Sequence, residues 1–215
     1  GTMMKNSKGE RTMNPTTCAT TDGDLVDKEE GMAMIVAGFL QQIASDNNDR
    51  LRNGVKDTYL TPFHATNDPN ISMLVYVKRL QDFCGASPCA FLTGMIYVDR
   101  ALVKMPGFLV SSFSAHRLYL TCLLIAAKFL DDDYYSNAHW ADVGGISLKE
   151  LNRLEVDTLF LLNFDLNVTP LEYSQYSAAL RSNKASPKAQ HAIDFVDQFE
   201  AQQDSSNRPS QAPSS

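Results

Sequence analysis

Cysteine is scarce in this chain, with 4 in 215 residues. None of Cys18, Cys84, Cys89 and Cys122 forms a C-x-x-C pair, and none stands at zinc-ligand spacing from a histidine. A disulfide scaffold and a structural zinc site are therefore not expected, and the thiols read as reduced, with Cys122 in a helix core. Long hydrophobic runs are missing too. No stretch has membrane length and no secretory-type apolar segment stands near the N-terminus, so the expected setting is cytoplasmic or nuclear, with no membrane partner. Positive charge is in short supply: 19 Lys and Arg face 25 Asp and Glu, a net charge of −6. That balance opposes broad contact with a phosphate backbone, which needs clustered cations, so nucleic acid is not an expected partner.

The signatures of common active sites are also absent: no P-loop, G-x-G-x-x-G, G-x-S-x-G or H-E-x-x-H. His64, His116, His139 and His191 are scattered. His116 beside Asp131–Asp133 is the nearest thing to an acid/base or metal grouping, but it lacks a nucleophile and a full ligand set. The aspartate run is more simply a solvated turn at a helix end, where the helix dipole disfavours anions. No catalytic residue, metal or cofactor is predicted. The single tryptophan, Trp140, reads as packing of a short helix.

What the chain does have is apolar helical sequence. It is 44% hydrophobic and 20% charged, a composition suited to one enclosed core. Residues 1–24 are polar and without period, and 204–215 are rich in Ser and Pro. Both are expected to be disordered. A first helix is predicted from about Leu25 to Ser45, followed by a polar connection to residue 62. Ser87-Pro88, Ser147-x-x-Glu150 and Thr169-Pro-x-Glu172 read as helix starts, the last two as capping boxes. Ser114 or a neighbour, and Asn137, are further candidate caps. The long helix from about Ser114 to Leu130 is apolar on nearly every side and should be central. A last helix is expected over about Lys188 to Gln202. The fold class is all-α, with a five-helix core over roughly Ile71–Leu166 in a unit spanning 63–182, an extra N-terminal helix over 25–62, and one or two C-terminal helices, the second within 183–203.

Two charges sit against apolar runs: Lys128 follows LLIAA, and Glu155 lies inside LNRLEVDTLFLL. Each must find a partner inside the fold or be offered to another molecule. On the residues alone, an internal ion pair that also involves Asp99 is the simpler reading.

The run IYVDR (Ile96–Arg100), HRLYLTCLLIAAKFLDD, NAHWADVGGIS and LNRLEVDTLFLLNFDL together resemble a cyclin box. FHATNDPNIS (Phe63–Ser72), YVKRL (Tyr76–Leu80) and VGGIS are similar to the single-box P/U-type, phosphate-response cyclins. The resemblance covers about Phe63 to Tyr176. It implies a regulatory subunit, not an enzyme, that binds and activates a cyclin-dependent protein kinase as a heterodimer. Such a subunit engages the kinase C helix and serves cell-cycle or nutrient control. Kinase substrates or inhibitors are further candidate partners. By position, the family's kinase contacts fall on Lys128 and Glu155, with Phe129, Leu159, Phe164 and Leu166 adjoining. Asp99 takes the place of the aspartate that steadies the lysine. Phe164 and Leu166 read equally well as ordinary core. The arginine of mitotic-type cyclins would fall near Asn70 and no Met/Leu/Trp patch accompanies it, so that substrate-docking site is not predicted. The second box is absent or reduced to the C-terminal helices.

Three rivals remain open. A cyclin-fold transcription adaptor would need a basic face, for which Lys78, Arg79, Arg100 and Lys104 are the material. A helical hydrolase or metal enzyme would need convergent polar groups. A scaffold would bind a kinase without activating it. The N-terminal helix has no assigned partner, and MAMIVAGFL is too apolar to stay exposed, so packing on the box is favoured.

Overall fold

A computed structural model describes residues 31–57 and 61–182. The polar N-terminal segment, the start of the first helix near Leu25, and the helix and tail expected beyond residue 183 lie outside the described residues. Within them there are seven helices and no strand. They are α1 (Met32–Arg52), α2 (Met73–Phe83), α3 (Pro88–Lys104), α4 (Ala115–Leu130), α5 (Asn137–Gly144), α6 (Leu148–Leu161) and α7 (Pro170–Arg181).

The centre of the bundle is α4, in which every residue from Ala115 to Ala127 except Arg117 is buried. Its neighbour α3 is nearly as enclosed, from Ala90 to Asp99. The two backbones meet at Gly94, where a Cβ would stand 3.1 Å from the Leu123 Cα. That spacing is why a residue without a side chain lies here in an otherwise apolar helix. Trp140 of α5 is fully buried, which confirms its packing role.

The first helix packs on the core through Met32, Val36, Ala37, Leu40 and Ala44, all buried. It also runs further than expected, because the stretch from Asp46 to Arg52 is helical and not a connection. Its polar residues have specific work. Gln41 Oε1 accepts the Met73 N–H at the start of α2 (2.9 Å), Asn47 Nδ2 donates to the Val110 carbonyl (3.0 Å), and Asn48 Oδ1 accepts the Ser112 N–H (3.2 Å). Helix propensity alone disfavours such asparagines, but these tertiary hydrogen bonds outweigh it.

The helix starts follow the sequence closely, with three corrections. Ser87, Ser147 and Thr169 each accept an N–H from three residues on. Ser114 stands at the cap of α4 without capping it. Its hydroxyl donates to the Leu109 carbonyl and accepts the Ser111 N–H instead. Ser136, not Asn137, caps α5. The Glu150 carboxylate does not close a capping box but pairs with Arg117 of α4 at 2.6 Å, since a full charge outweighs a neutral N–H as a partner. The α5 helix ends at Gly145 in the left-handed region (φ 71°), its N–H returning to Ala141 and Asp142.

Asp131 has a structural use that its position at the C-terminal end of α4 conceals. Its Oδ2 accepts the Ser87 N–H at 3.0 Å, beside the first turn of α3. A carboxylate that its own helix dipole disfavours is thereby placed at the favourable end of another.

Candidate functional site

Lys128, in the last turn of α4, and Glu155, midway along α6, meet directly: Nζ to Oε1 is 2.6 Å. The side chains are 29% and 14% exposed, so the pair lies at the surface but is sheltered. The second carboxylate oxygen, Oε2, accepts from Asn137 Nδ2 at 2.7 Å, and the same nitrogen donates to Asn152 Oδ1 at 2.7 Å. Three helices thus converge on one carboxylate. Asp99, the residue assigned to steady the lysine, is buried in α3.

The two helices that carry this pair also expose aromatic side chains toward their C-terminal ends. Phe129 is 51% exposed, Phe160 68% and Phe164 56%. Phe160 and Phe164 meet edge to face, their centroids 5.3 Å apart. Val156 and Leu130 are exposed beside them in sequence. Leu159 and Leu166 are partly buried and pack on the core. Of the residues singled out from the sequence, then, Lys128, Phe129, Glu155 and Phe164 reach solvent, while Leu159 and Leu166 are turned partly into the core. Phe160, Val156 and Asn137 were missed. A signal for the first two existed: Leu151, Leu154 and Thr158 form the buried stripe of α6, and Val156 and Phe160 fall off it.

The presentation of Phe164 has a backbone cause. After α6, Asn163 and Phe164 take φ of 53° and 55°, a region costly for a phenylalanine. The Phe164 N–H returns to the Leu159 carbonyl and the Asn163 N–H to the Phe160 carbonyl, both at 2.9 Å. This closure terminates the helix and turns the ring outward. The strained segment is then held by α3. Tyr97 Oη donates to the Leu166 carbonyl at 2.6 Å, and Arg100 donates to the carbonyls of Asp165 (2.6 Å) and Asn167 (2.8 Å) and to Glu172 (2.9 Å). Three successive carbonyls are therefore gripped by two side chains one helical turn apart.

Arg100 is thus committed inside the fold and is not part of a basic stripe. Arg79 donates to the Asp142 carbonyl, and Lys78 pairs with Asp82. Replacing Arg100 by methionine keeps the apolar stem but leaves the carbonyls and Glu172 without it. The expected cost is about 2–3 kcal/mol, which lowers the melting temperature by about 5–10 °C in calorimetry. An unchanged melting temperature would show the clamp to be dispensable.

The acid/base grouping imagined for His116 and Asp131–Asp133 does not form. They stand at opposite ends of α4, about 20 Å apart at 1.5 Å per residue. His116 Nε2 instead meets the Ile71 carbonyl at 2.9 Å, its ring lies edge-on to Tyr76, and burial holds its pKa below the ordinary histidine value. Burial pushes the Cys84 thiol up to about 12 and the Cys122 thiol higher still, so neither is poised as a nucleophile. No group of three potential metal ligands occurs among the described residues, and none of their helices is long and apolar enough to cross a membrane.

A family model described as Cyclin matches residues 34–166 of the chain. Cyclin-U4-1 of Arabidopsis thaliana is 39% identical over 146 residues, which is 68% of this chain and 72% of that protein. Cyclin-P4-1 of Oryza sativa subsp. japonica is 38% identical over 176 residues, 80% of this chain and 83% of that protein. PHO85 cyclin-7 of Saccharomyces cerevisiae is 33% identical over 170 residues, 69% and 59% of the two chains.

Proposed function

The chain belongs to the cyclin family, and on that premise we propose that it is the regulatory subunit of a cyclin-dependent protein kinase. It binds the kinase C helix through the face built on Lys128 and Glu155, and it thereby activates the kinase in cell-cycle or nutrient control. The observation that carries this reading is a sheltered Lys128–Glu155 ion pair joining α4 and α6, two helices at whose C-terminal ends Phe129, Phe160 and Phe164 are also exposed. A domain gains nothing from three half-bare phenylalanines at the ends of two paired helices unless a partner covers them. The relatives above, the yeast PHO85 cyclin among them, support the same partner class.

The chain performs no chemistry in this reading. The kinase supplies its own metal sites and catalytic base, and its C helix must be correctly placed for phosphoryl transfer. A partner that binds only the active arrangement shifts the population toward it, and moving from 1:99 to 99:1 needs about 5.5 kcal/mol of differential binding. Phe129, Phe160 and Phe164 supply apolar burial, joined by the partly buried Leu159 and Leu166. Lys128 and Glu155 bond backbone groups of the kinase and fix the register, with Asp99 as buried support. The adaptor reading loses ground because Arg100 and Arg79 bond backbone carbonyls of the fold and Lys78 is paired with the Asp82 carboxylate.

The test is to mix the protein with a panel of monomeric cyclin-dependent kinases and measure phosphoryl transfer. Activation of one kinase supports the proposal. Binding without activation means a scaffold, and no binding to any of them overturns it. Phe164→Asn sharpens the test, because its two expected effects have opposite signs. Asparagine tolerates the left-handed backbone, so strain of about 1 kcal/mol is relieved and the melting temperature holds or rises. Kinase affinity falls at least about tenfold, as expected for a central aromatic contact. A fall in both together would make Phe164 a structural residue.

A further inference from the structure

Asn137 opens α5, directly after the capping Ser136, and its side chain is released from capping duty. Its Nδ2 lies 2.7 Å from Glu155 Oε2 and 2.7 Å from Asn152 Oδ1. A carboxylate has no hydrogen to give, so the group facing Glu155 is the NH2 and not the carbonyl oxygen. Both amide hydrogens are therefore spent on α6, on two residues three apart along one face. Glu155 in turn gives Oε1 to Lys128 and Oε2 to Asn137.

We infer that Asn137 is a positioning residue for the docking pair: it holds Glu155 Oε2 away from Lys128, so that the lysine keeps donors free for the partner. An ammonium carries three hydrogens. With one carboxylate oxygen held by Asn137, Lys128 meets a single oxygen of Glu155 and keeps hydrogens that a bidentate carboxylate would take, available for backbone carbonyls of the kinase. Without Asn137, the carboxylate turns both oxygens onto the lysine, and the pair satisfies itself. The inference rests on the kinase-binding reading for its consequence, but not for its geometry.

The decisive experiment is a double-mutant cycle read by titration calorimetry against the kinase that the panel identifies. Native protein, Asn137→Ala, Glu155→Ala and the double variant are compared, with a melting curve for each. Asn137→Ala is expected to bind about tenfold more weakly, while the same substitution on the Glu155→Ala background changes affinity less than twofold. An equal loss on both backgrounds would mean that Asn137 touches the kinase or merely anchors α5, and would overturn the inference, as would no loss at all. Asn137→Asp should bind more weakly than Asn137→Ala, because it sets a second carboxylate against Glu155. If no kinase binds the native protein, crystal structures of the free native and Asn137→Ala proteins decide the matter separately. Movement of Oε2 to within hydrogen-bonding distance of Lys128 Nζ supports the positioning role, and an unmoved carboxylate refutes it.

Discussion

Replacing Lys128 and Glu155 together by alanine is expected to leave the fold standing and to weaken kinase binding by about 2–5 kcal/mol, on the order of thirty- to several-thousand-fold. Both must go at once. Removing one leaves the other sheltered and unpaired, and the measured loss then contains that penalty as well. Removing both takes away a pair that, at 29% and 14% exposure, contributes about 1 kcal/mol or less to stability. In the proposed complex the same groups would lose their water, and charged hydrogen bonds to a partner discriminate more sharply there than at a free surface. Calorimetric melting and titration with the kinase separate the two effects. A double variant that no longer melts cooperatively would make the pair structural. A double variant that binds and activates like the native protein would move the interface elsewhere.

Removing residues 1–52 is expected to abolish cooperative folding. The helix α1 buries Met32, Val36 and Leu40 against the core, each worth about 1.5–3 kcal/mol. It also supplies the hydrogen bonds of Gln41, Asn47 and Asn48 to the start of α2 and the α3–α4 loop. Domain stabilities are about 5–15 kcal/mol, so the loss is comparable to the whole. Leu40→Ala is the milder companion. It should remain folded, cost about 2–5 kcal/mol and melt about 5–20 °C lower. A truncated protein with the native melting curve would show that α1 is an appendage, available to a partner instead of the core.

Much of the architecture was legible in the chain because its signals are local. Ser87-Pro88, Ser147 and Thr169-Pro170 start helices with groups that lie within three residues of one another, and the enclosure of α4 follows from a segment with no polar face. Local rules also failed in a consistent direction. The stretch from Asp46 to Arg52 looked like a connection and is helical, because its asparagines bond to segments more than sixty residues away. Asn137 looked like a cap, and Glu150 looked like the far half of a capping box. Each instead serves a side chain of another helix.

The candidate site divides in the same way. The sequence by itself determined which residues could matter, since Lys128 and Glu155 stand out against apolar runs whatever surrounds them. Only the tertiary structure decided what they do: it joins them across 27 residues, with Asn137 as the third member. The outward turn of Phe164 likewise depends on a strained helix end held from α3 by Tyr97 and Arg100, nearly seventy residues upstream. Caps and periodicity are set by neighbours along the chain, whereas the pairing of a charge and the exposure of a ring are set by which helices happen to meet.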